Sequence, residues 1–134
     1  MDLGIANKTA LICASSKGLG RGCAEALAEA GVHLVINARG QDALQAAADS
    51  IRGRFNVRVE TVAADITTLE GQNSVLKVLE TPDILINNAG GPPPGLWSDW
   101  EKEDFLAALE ANMLTPIAMI KRILPSMIEK GWGR

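Results

Sequence analysis

The stretch Thr9-Ala10-Leu11-Ile12-Cys13-Ala14-Ser15-Ser16-Lys17-Gly18-Leu19-Gly20 decides the fold. A short apolar strand, about Thr9 to Ala14, runs into a turn of small residues, and the turn opens directly into a helix. That order of elements builds a phosphate cradle. The turn offers backbone N–H groups, and the helix N-terminus adds its partial positive charge. Gly18 lets the backbone approach a ligand closely, and Gly20 lets the helix pack closely on the strand. The spacing is not G-x-G-x-x-G, because Ala14 stands where an earlier glycine would be. It is not a Walker loop either, since no Gly-Lys-Ser/Thr ending follows. The alternative is an ordinary tight turn between strand and helix.

Working outward, strand and helix alternate along the chain without internal repeats. The first helix has Leu19, Cys23, Ala26, Leu27 and Ala30 on one apolar face and stops at Gly31, a C-cap. A second strand covers His33 to Asn37. A helix from Gln41 to about Gly53 points Leu44, Ala47, Ala48 and Ile51 inward. A third strand spans Val57 to Ala63. Thr67 and Glu70 have capping-box spacing for a third helix, which Gly71-Gln72-Asn73 interrupts. The fourth strand is Asp83 to Asn87. It leads into Gly90-Gly91-Pro92-Pro93-Pro94-Gly95, a stiff loop without ladder donors. Ser98 and Glu101 mark another capping box, and a long helix runs to Lys130 with a kink or break at Pro116. Its apolar positions, Leu106, Leu109, Met113, Ile117, Ile120, Leu124 and Met127, are widened by Phe105, Ile123 and Ile128. A stripe this wide can cover the sheet and a second surface, such as a partner subunit; a deeply buried helix is the other reading.

Composition narrows the class. The chain has 134 residues, 47% of them hydrophobic, and a net charge of −3 without a basic run. Nucleic acid and anionic membranes are poor partners for it. Met1-Asp2-Leu3-Gly4-Ile5 lacks the basic and apolar regions of a signal peptide, and no window is apolar for long enough to span a bilayer. The two cysteines, Cys13 and Cys23, read as buried thiols and have no metal-ligand spacing. The expected setting is the cytoplasm, with no metal.

The end of the second strand bears on the cofactor. NAD-binding folds place a carboxylate there for the ribose 2′-hydroxyl. This chain reads Asn37-Ala38-Arg39. Arg39 presents a planar fork of donors suited to a 2′-phosphate, and Lys17 adds a second positive charge, so both point to NADP(H); the alternative is that either is simply a solvated surface charge. The missing carboxylate also disfavours a Rossmann-like methyltransferase. Asp65, after the third strand, either accepts from an adenine amino group or caps the next turn. Asn87-Asn88-Ala89-Gly90 can satisfy strand-end backbone groups or bond a ligand. His33, the single histidine, lies far from the phosphate turn and reads as structural.

Together these residues resemble the short-chain dehydrogenase/reductase family. Its Thr-Gly-x-x-x-Gly-x-Gly motif is matched by Cys13 to Gly20, with Cys13 and Ala14 as departures. Its Asn-Asn-Ala-Gly motif stands intact at Asn87 to Gly90, in register with the turn, and Asn112 matches its helix asparagine. The closest likeness is to the NADPH-dependent 3-oxoacyl-carrier-protein reductase type. The resemblance implies that Ala14, Ser15, Ser16, Lys17, Gly18, Leu19 and Gly20 hold the pyrophosphate and adenosine ribose. Lys17 and Arg39 would favour the 2′-phosphate, Asp65 and Ile66 would contact adenine, and Asn88, Ala89 and Gly90 would approach the nicotinamide ribose. Asn112 would hold a water in a proton relay.

In such enzymes hydride passes from nicotinamide to a ketone or 3-oxoacyl group. The family also uses a Ser, and a Tyr and Lys four residues apart, downstream of the next strand. The chain contains no tyrosine. The expectation is therefore one NADP-binding domain over residues 1–134, an α/β Rossmann-like doubly wound parallel sheet in strand order 3-2-1-4, incomplete at its C-terminus. It would serve a small-molecule carbonyl substrate in the complete enzyme, without turnover as it stands. The long C-terminal helix would join it into a homo-oligomer. The alternative is a non-catalytic NADP-binding or interaction module. With strand four as an open edge, the isolated chain is expected to be marginally stable or prone to aggregate.

Overall fold

In the computed structural model, which describes residues 1–134, the first strand is the hub. The elements in order are β1 (Thr9–Ile12), α1 (Gly18–Glu29), β2 (His33–Ala38), α2 (Gln41–Arg54), β3 (Val59–Ala63), α3 (Leu69–Val78), β4 (Ile84–Ile86), α4 (Lys102–Leu109) and α5 (Thr115–Lys130). The strands form one parallel sheet in order β3-β2-β1-β4, as the alternation of strand and helix predicts. Leu11 of β1 lies opposite Val35 on one side and Leu85 on the other. Helices cover both faces, so β1 has no polar face: Ala10, Leu11 and Ile12 are all buried. Successive side chains alternate between two cores. Ala10, Ile12 and Ile36 meet Ala24 and Ala28 of α1 and Leu44 and Ile51 of α2. Leu11, Cys13 and Val35 meet Val75 and Leu76 of α3 and Met119 and Ile123 of α5.

Helix α1 turns a different face inward from the one predicted. Its buried residues are Gly20, Ala24 and Ala28, whereas Ala26 is exposed and Cys23 half-buried. Leu27 still packs on the core margin. Leu19 is 84% exposed. Close helix–sheet approach selects the small residues, and the larger Leu19 is left at the first turn. The predicted stop at Gly31 is present: φ is +79°, and the Gly31 and Val32 amides bond back to Ala28 and Leu27 at 3.0 Å each.

Helix α3 is capped by Thr68, not Thr67: the Thr68 hydroxyl accepts the Gly71 amide at 3.0 Å. Gly71 does not interrupt the helix. It is needed there, because a Cβ would fall 2.5 Å from the Asp65 carbonyl carbon and still closer to its oxygen. Ser98 likewise caps nothing. It sits in a short 3-10 turn, Trp97–Asp99, and the carboxylates of Asp99 and Asp104 accept the amides of Leu96 and Glu101 at 3.0 and 2.8 Å.

Between α4 and α5 the helix widens into a π-helical turn, Glu110–Leu114, just before Pro116. Pro116 has no N–H and crowds the carbonyl four residues back, and the widened turn absorbs both effects. The expected kink therefore takes the form of a π turn, and Pro125 is tolerated further along. The apolar stripe splits in two. Met119 and Ile123 are buried in the core, with Met127 packed against them. Leu106, Leu109, Met113, Ile117, Ile120 and Leu124 face outward and are 42–53% exposed.

The start of β4 is tied on both sides. The Asp83 carboxylate accepts the Thr9 amide and hydroxyl at 2.9 and 3.0 Å and pairs with Lys130 at 2.9 Å. On the outer edge, the Arg134 amide bonds to the Asp83 carbonyl at 3.1 Å and the Leu85 amide to the Arg134 carbonyl at 2.9 Å. Arg134 thus takes up a parallel-ladder position beside β4.

Candidate functional site

A cavity of about 830 Å³ opens at the carboxyl ends of the four strands, and the segment that follows each strand contributes to its wall. After β1 come Ala14, Ser16 and Lys17 of the turn and Gly18 and Leu19 of α1; β2 gives Asn37 and Ala38, with Arg39 just beyond it. Ala64, Asp65, Ile66 and Thr67 follow β3, and Asn88 through Pro93 follow β4. This is where open α/β sheets bind ligands.

The turn between β1 and α1 is bent by Ala14 and Gly18, both left-handed, with φ of +47° and +58°. Beyond it, α1 begins without a side-chain cap and without an acidic residue in its first turn. Its first amides therefore have no side-chain partner, and Lys17, at the N-cap position, lines the cavity beside them. Nothing lies within 4 Å of the place a Gly18 side chain would occupy, so the backbone is open to close approach.

Gly20 and Ser15 do not line the cavity; both support it from behind. A Cβ on Gly20 would lie 2.8 Å from Asn88 Nδ2 and closer still to the Ala14 carbonyl oxygen. Asn88 Nδ2 donates to that oxygen at 3.0 Å, tying the end of β4 to the turn. Ser15 is fully buried. Its amide donates to the Asn37 carbonyl at 2.8 Å, and its hydroxyl accepts the Asn37 amide at 3.1 Å. The same hydroxyl donates to the Ile12 carbonyl at 2.9 Å.

On the β3 side, Asp65 Oδ1 accepts the Thr67 hydroxyl and amide at 2.7 and 3.0 Å. These bonds, with a smaller contribution from Arg39, hold its carboxyl below the ordinary aspartate range against the opposing effect of burial. Asp65 therefore does cap the next turn, while also lining the cavity. Arg39 is exposed on the rim, and no carboxylate stands at the end of β2. Ile66 is buried in the core beneath α3 and α5 and reaches the cavity wall. Asn112 lies in the π turn, and its Nδ2 donates to the Ala108 carbonyl at 3.1 Å. Ala108 and Ala111 line the cavity, whereas Asn112 itself does not.

Cys13 lies directly beneath the turn. Burial pushes its thiol up to about 11, although the Asn88 amide hydrogen-bonds to it. Both cysteines are free. His33 is at the opposite end of β2 from the cavity, where Nδ1 accepts the Arg58 amide at 3.1 Å. No group of three or more metal-ligating side chains is present, and no helix is long and apolar enough to cross a membrane.

Two features of the site go beyond the motif residues. The wall formed by Asp104, Ala107 and Ala108 of α4 and Ala111 of the π turn belongs to no motif in the sequence. Asn37, 1% exposed, joins β2 to the turn and to β3, and the signal for it was an amide side chain inside an otherwise apolar strand.

A parallel 3-2-1-4 sheet with an uncapped, glycine-bearing helix start at its carboxyl edge defines a Rossmann-like dinucleotide-binding fold. The profile of the short chain dehydrogenase family matches residues 8–134, and the chain belongs to that family. It is 33% identical over its whole length to the uncharacterized oxidoreductase YvaG of Bacillus subtilis, covering 51% of that protein. It is 28% identical to the 3-oxoacyl-[acyl-carrier-protein] reductase FabG of Aquifex aeolicus, covering 56% of it. L-sorbose reductase from Gluconobacter frateurii, solved with NADPH and L-sorbose, superposes with a TM-score of 0.91 at 35% identity, over 99% of this chain and 52% of that one. The chain thus spans about half the length of the relatives it matches.

Proposed function

We propose that the chain is the cofactor-binding unit of an NADPH-dependent carbonyl reductase. The observation that carries this reading is the charge arrangement of the cavity. An uncapped helix N-terminus and Lys17 flank one part, Arg39 stands on the rim at the end of β2, and β2 itself ends in no carboxylate; the acidic residues of the wall are Asp65, whose Oδ1 is committed to Thr67, and Asp104, whose carboxylate accepts the Glu101 amide. The turn would take the pyrophosphate, Lys17 and Arg39 the 2′-phosphate, Asp65 and Ile66 the adenine, and Asn88 to Gly90 the nicotinamide ribose. Bound NADPH would supply the hydride for reduction of a ketone or 3-oxoacyl group. Asn112 would enter the proton relay. The proton donor is not among these 134 residues, because tyrosine is absent. The outward apolar face of α4 and α5 would join a second copy. Two free thiols support a reducing, cytoplasmic setting.

The test is a fluorescence titration with NADPH and NADH. NADPH should bind the more tightly, and Arg39→Ala should cost NADPH roughly tenfold or more while sparing NADH. Equal affinity for the two cofactors, or no binding, would overturn the reading. The missing tyrosine also favours a second reading, a non-catalytic NADP-binding module. A full-length natural product of this mass that binds NADPH, forms a defined oligomer and turns over no carbonyl substrate would establish it.

A further inference from the structure

We propose that Asn37 is a positioning residue for the cofactor's 2′-phosphate, acting through Arg39; this rests on the NADPH reading above. Asn37 is buried in β2 two residues before the exposed Arg39, and it joins three of the segments that form the cavity. Its Nδ2 donates to both the Val62 and Ala64 carbonyls, at 2.9 and 3.0 Å, and so grips the end of β3 just before Asp65. Its backbone amide donates to the Ser15 hydroxyl, and its carbonyl accepts the Ser15 amide at 2.8 Å. Ser15 directly precedes Ser16 and Lys17 of the phosphate turn. A single side chain and its own peptide groups therefore fix Arg39, Asp65 and Lys17 relative to one another.

This linkage is more than a strand contact. Parallel pairing already joins Asn37 to Val62 in register, and the Ala64 amide already bonds to the Ala38 carbonyl at 3.0 Å. The Asn37 carboxamide adds two bonds on the last peptides before the chain leaves β3, where the ladder ends and Asp65 begins. An amide suits this place because its –NH₂ group has two donors for two carbonyls. An aspartate, of the same shape, would turn an oxygen toward those carbonyls.

The experiment compares NADPH and NADH dissociation constants for the full chain and for Asn37→Ala, Arg39→Ala and the double variant, with urea unfolding followed in parallel. Asn37→Ala should lower the preference for NADPH over NADH roughly tenfold. In the double variant the preference should equal that of Arg39→Ala alone, because Asn37 acts through Arg39. A purely structural role would weaken both cofactors alike and leave the preference unchanged, which would overturn the proposal. If Asn37→Ala does not fold, Ser15→Ala loosens the same brace from the β1 side, and an unchanged preference there overturns it equally. Loss of NADPH preference in wild type, or its persistence in Arg39→Ala, would instead overturn the underlying reading.

Discussion

Two alanine substitutions in one helix turn should have opposite signs. Gly20 and Gly22 both lie in α1, where alanine is intrinsically favoured over glycine by about 0.8–1 kcal/mol. Nothing lies within 4 Å of the Gly22 Cβ position, so Gly22→Ala should keep most of that gain and stabilise the chain by about 0.5–1 kcal/mol. At Gly20 the new methyl would lie 2.8 Å from Asn88 Nδ2 and nearer still to the Ala14 carbonyl oxygen. Either α1 moves off β1 or Asn88 leaves Ala14. Overpacking costs about 1–3 kcal/mol, and the lost Asn88 bond about 1 kcal/mol more. Against the helix gain, Gly20→Ala should be destabilising by about 1–3 kcal/mol. It should also weaken NADPH binding, because the displaced carbonyl belongs to the phosphate turn. Urea unfolding followed by fluorescence of the three tryptophans measures the first effect, and cofactor titration the second. A Gly20→Ala chain as stable as Gly22→Ala, with unchanged NADPH affinity, would refute the idea that a packed contact behind the turn shapes the site.

Other outcomes follow from the same geometry. Ala14 holds φ at +47°, a conformation that costs an L-residue about 1–2 kcal/mol; Ala14→Gly should therefore stabilise by about 0.5 kcal/mol after the entropic cost of glycine, and a loss of stability in urea would contradict this. Alkylation at pH 8 should modify half-buried Cys23 first and leave Cys13 untouched until the chain unfolds, since burial pushes the Cys13 thiol up to about 11; peptide mass mapping that found the two equally fast would show the turn to be open. Burial raises the Asp83 carboxyl, but Lys130 and the two Thr9 bonds outweigh that and hold it below the ordinary aspartate range. Its stabilising effect is thus fully present above the unfolded value of about 4 and is lost as pH falls through the lower folded value. Asp83→Asn should be less stable than wild type at pH 7, and the gap should close in acid; a gap that widened in acid would reverse the sign of the argument.

The fold was legible because its signals are repeated and local. Strands β1, β2 and β4 are short, mostly apolar runs, β3 alternates in burial, and Gly31 ends α1 through the left-handed turn that its lack of a side chain allows. The misreadings share one physical cause: apolarity and spacing do not say what lies across the contact. Leu19 is apolar and spaced for the core, yet the sheet surface demands small residues, and Gly20, Ala24 and Ala28 take its place. Gly71 looked like a break, but the Asp65 carbonyl needs the space of its absent side chain. Thr67 had capping-box spacing, but its hydroxyl is committed to Asp65, so the neighbouring Thr68 caps α3.

The same reasoning explains which parts of the site were readable. Lys17, Arg39, Asp65 and Asn88 stand at strand ends, where a charged or amide residue is conspicuous against an apolar run. Asn37 was visible as well, but its role depends on bonds to residues 25 and 27 positions away, which no local pattern encodes. The long helix poses the limiting case. Met119 and Ile123 pack on the sheet while Ile120 and Leu124, one step further round, are exposed, though all four are alike in chemistry. Only the position of the sheet separates the two faces. The outward face therefore carries the same hydrophobic information as the inward one, and no pattern along the chain tells the two apart.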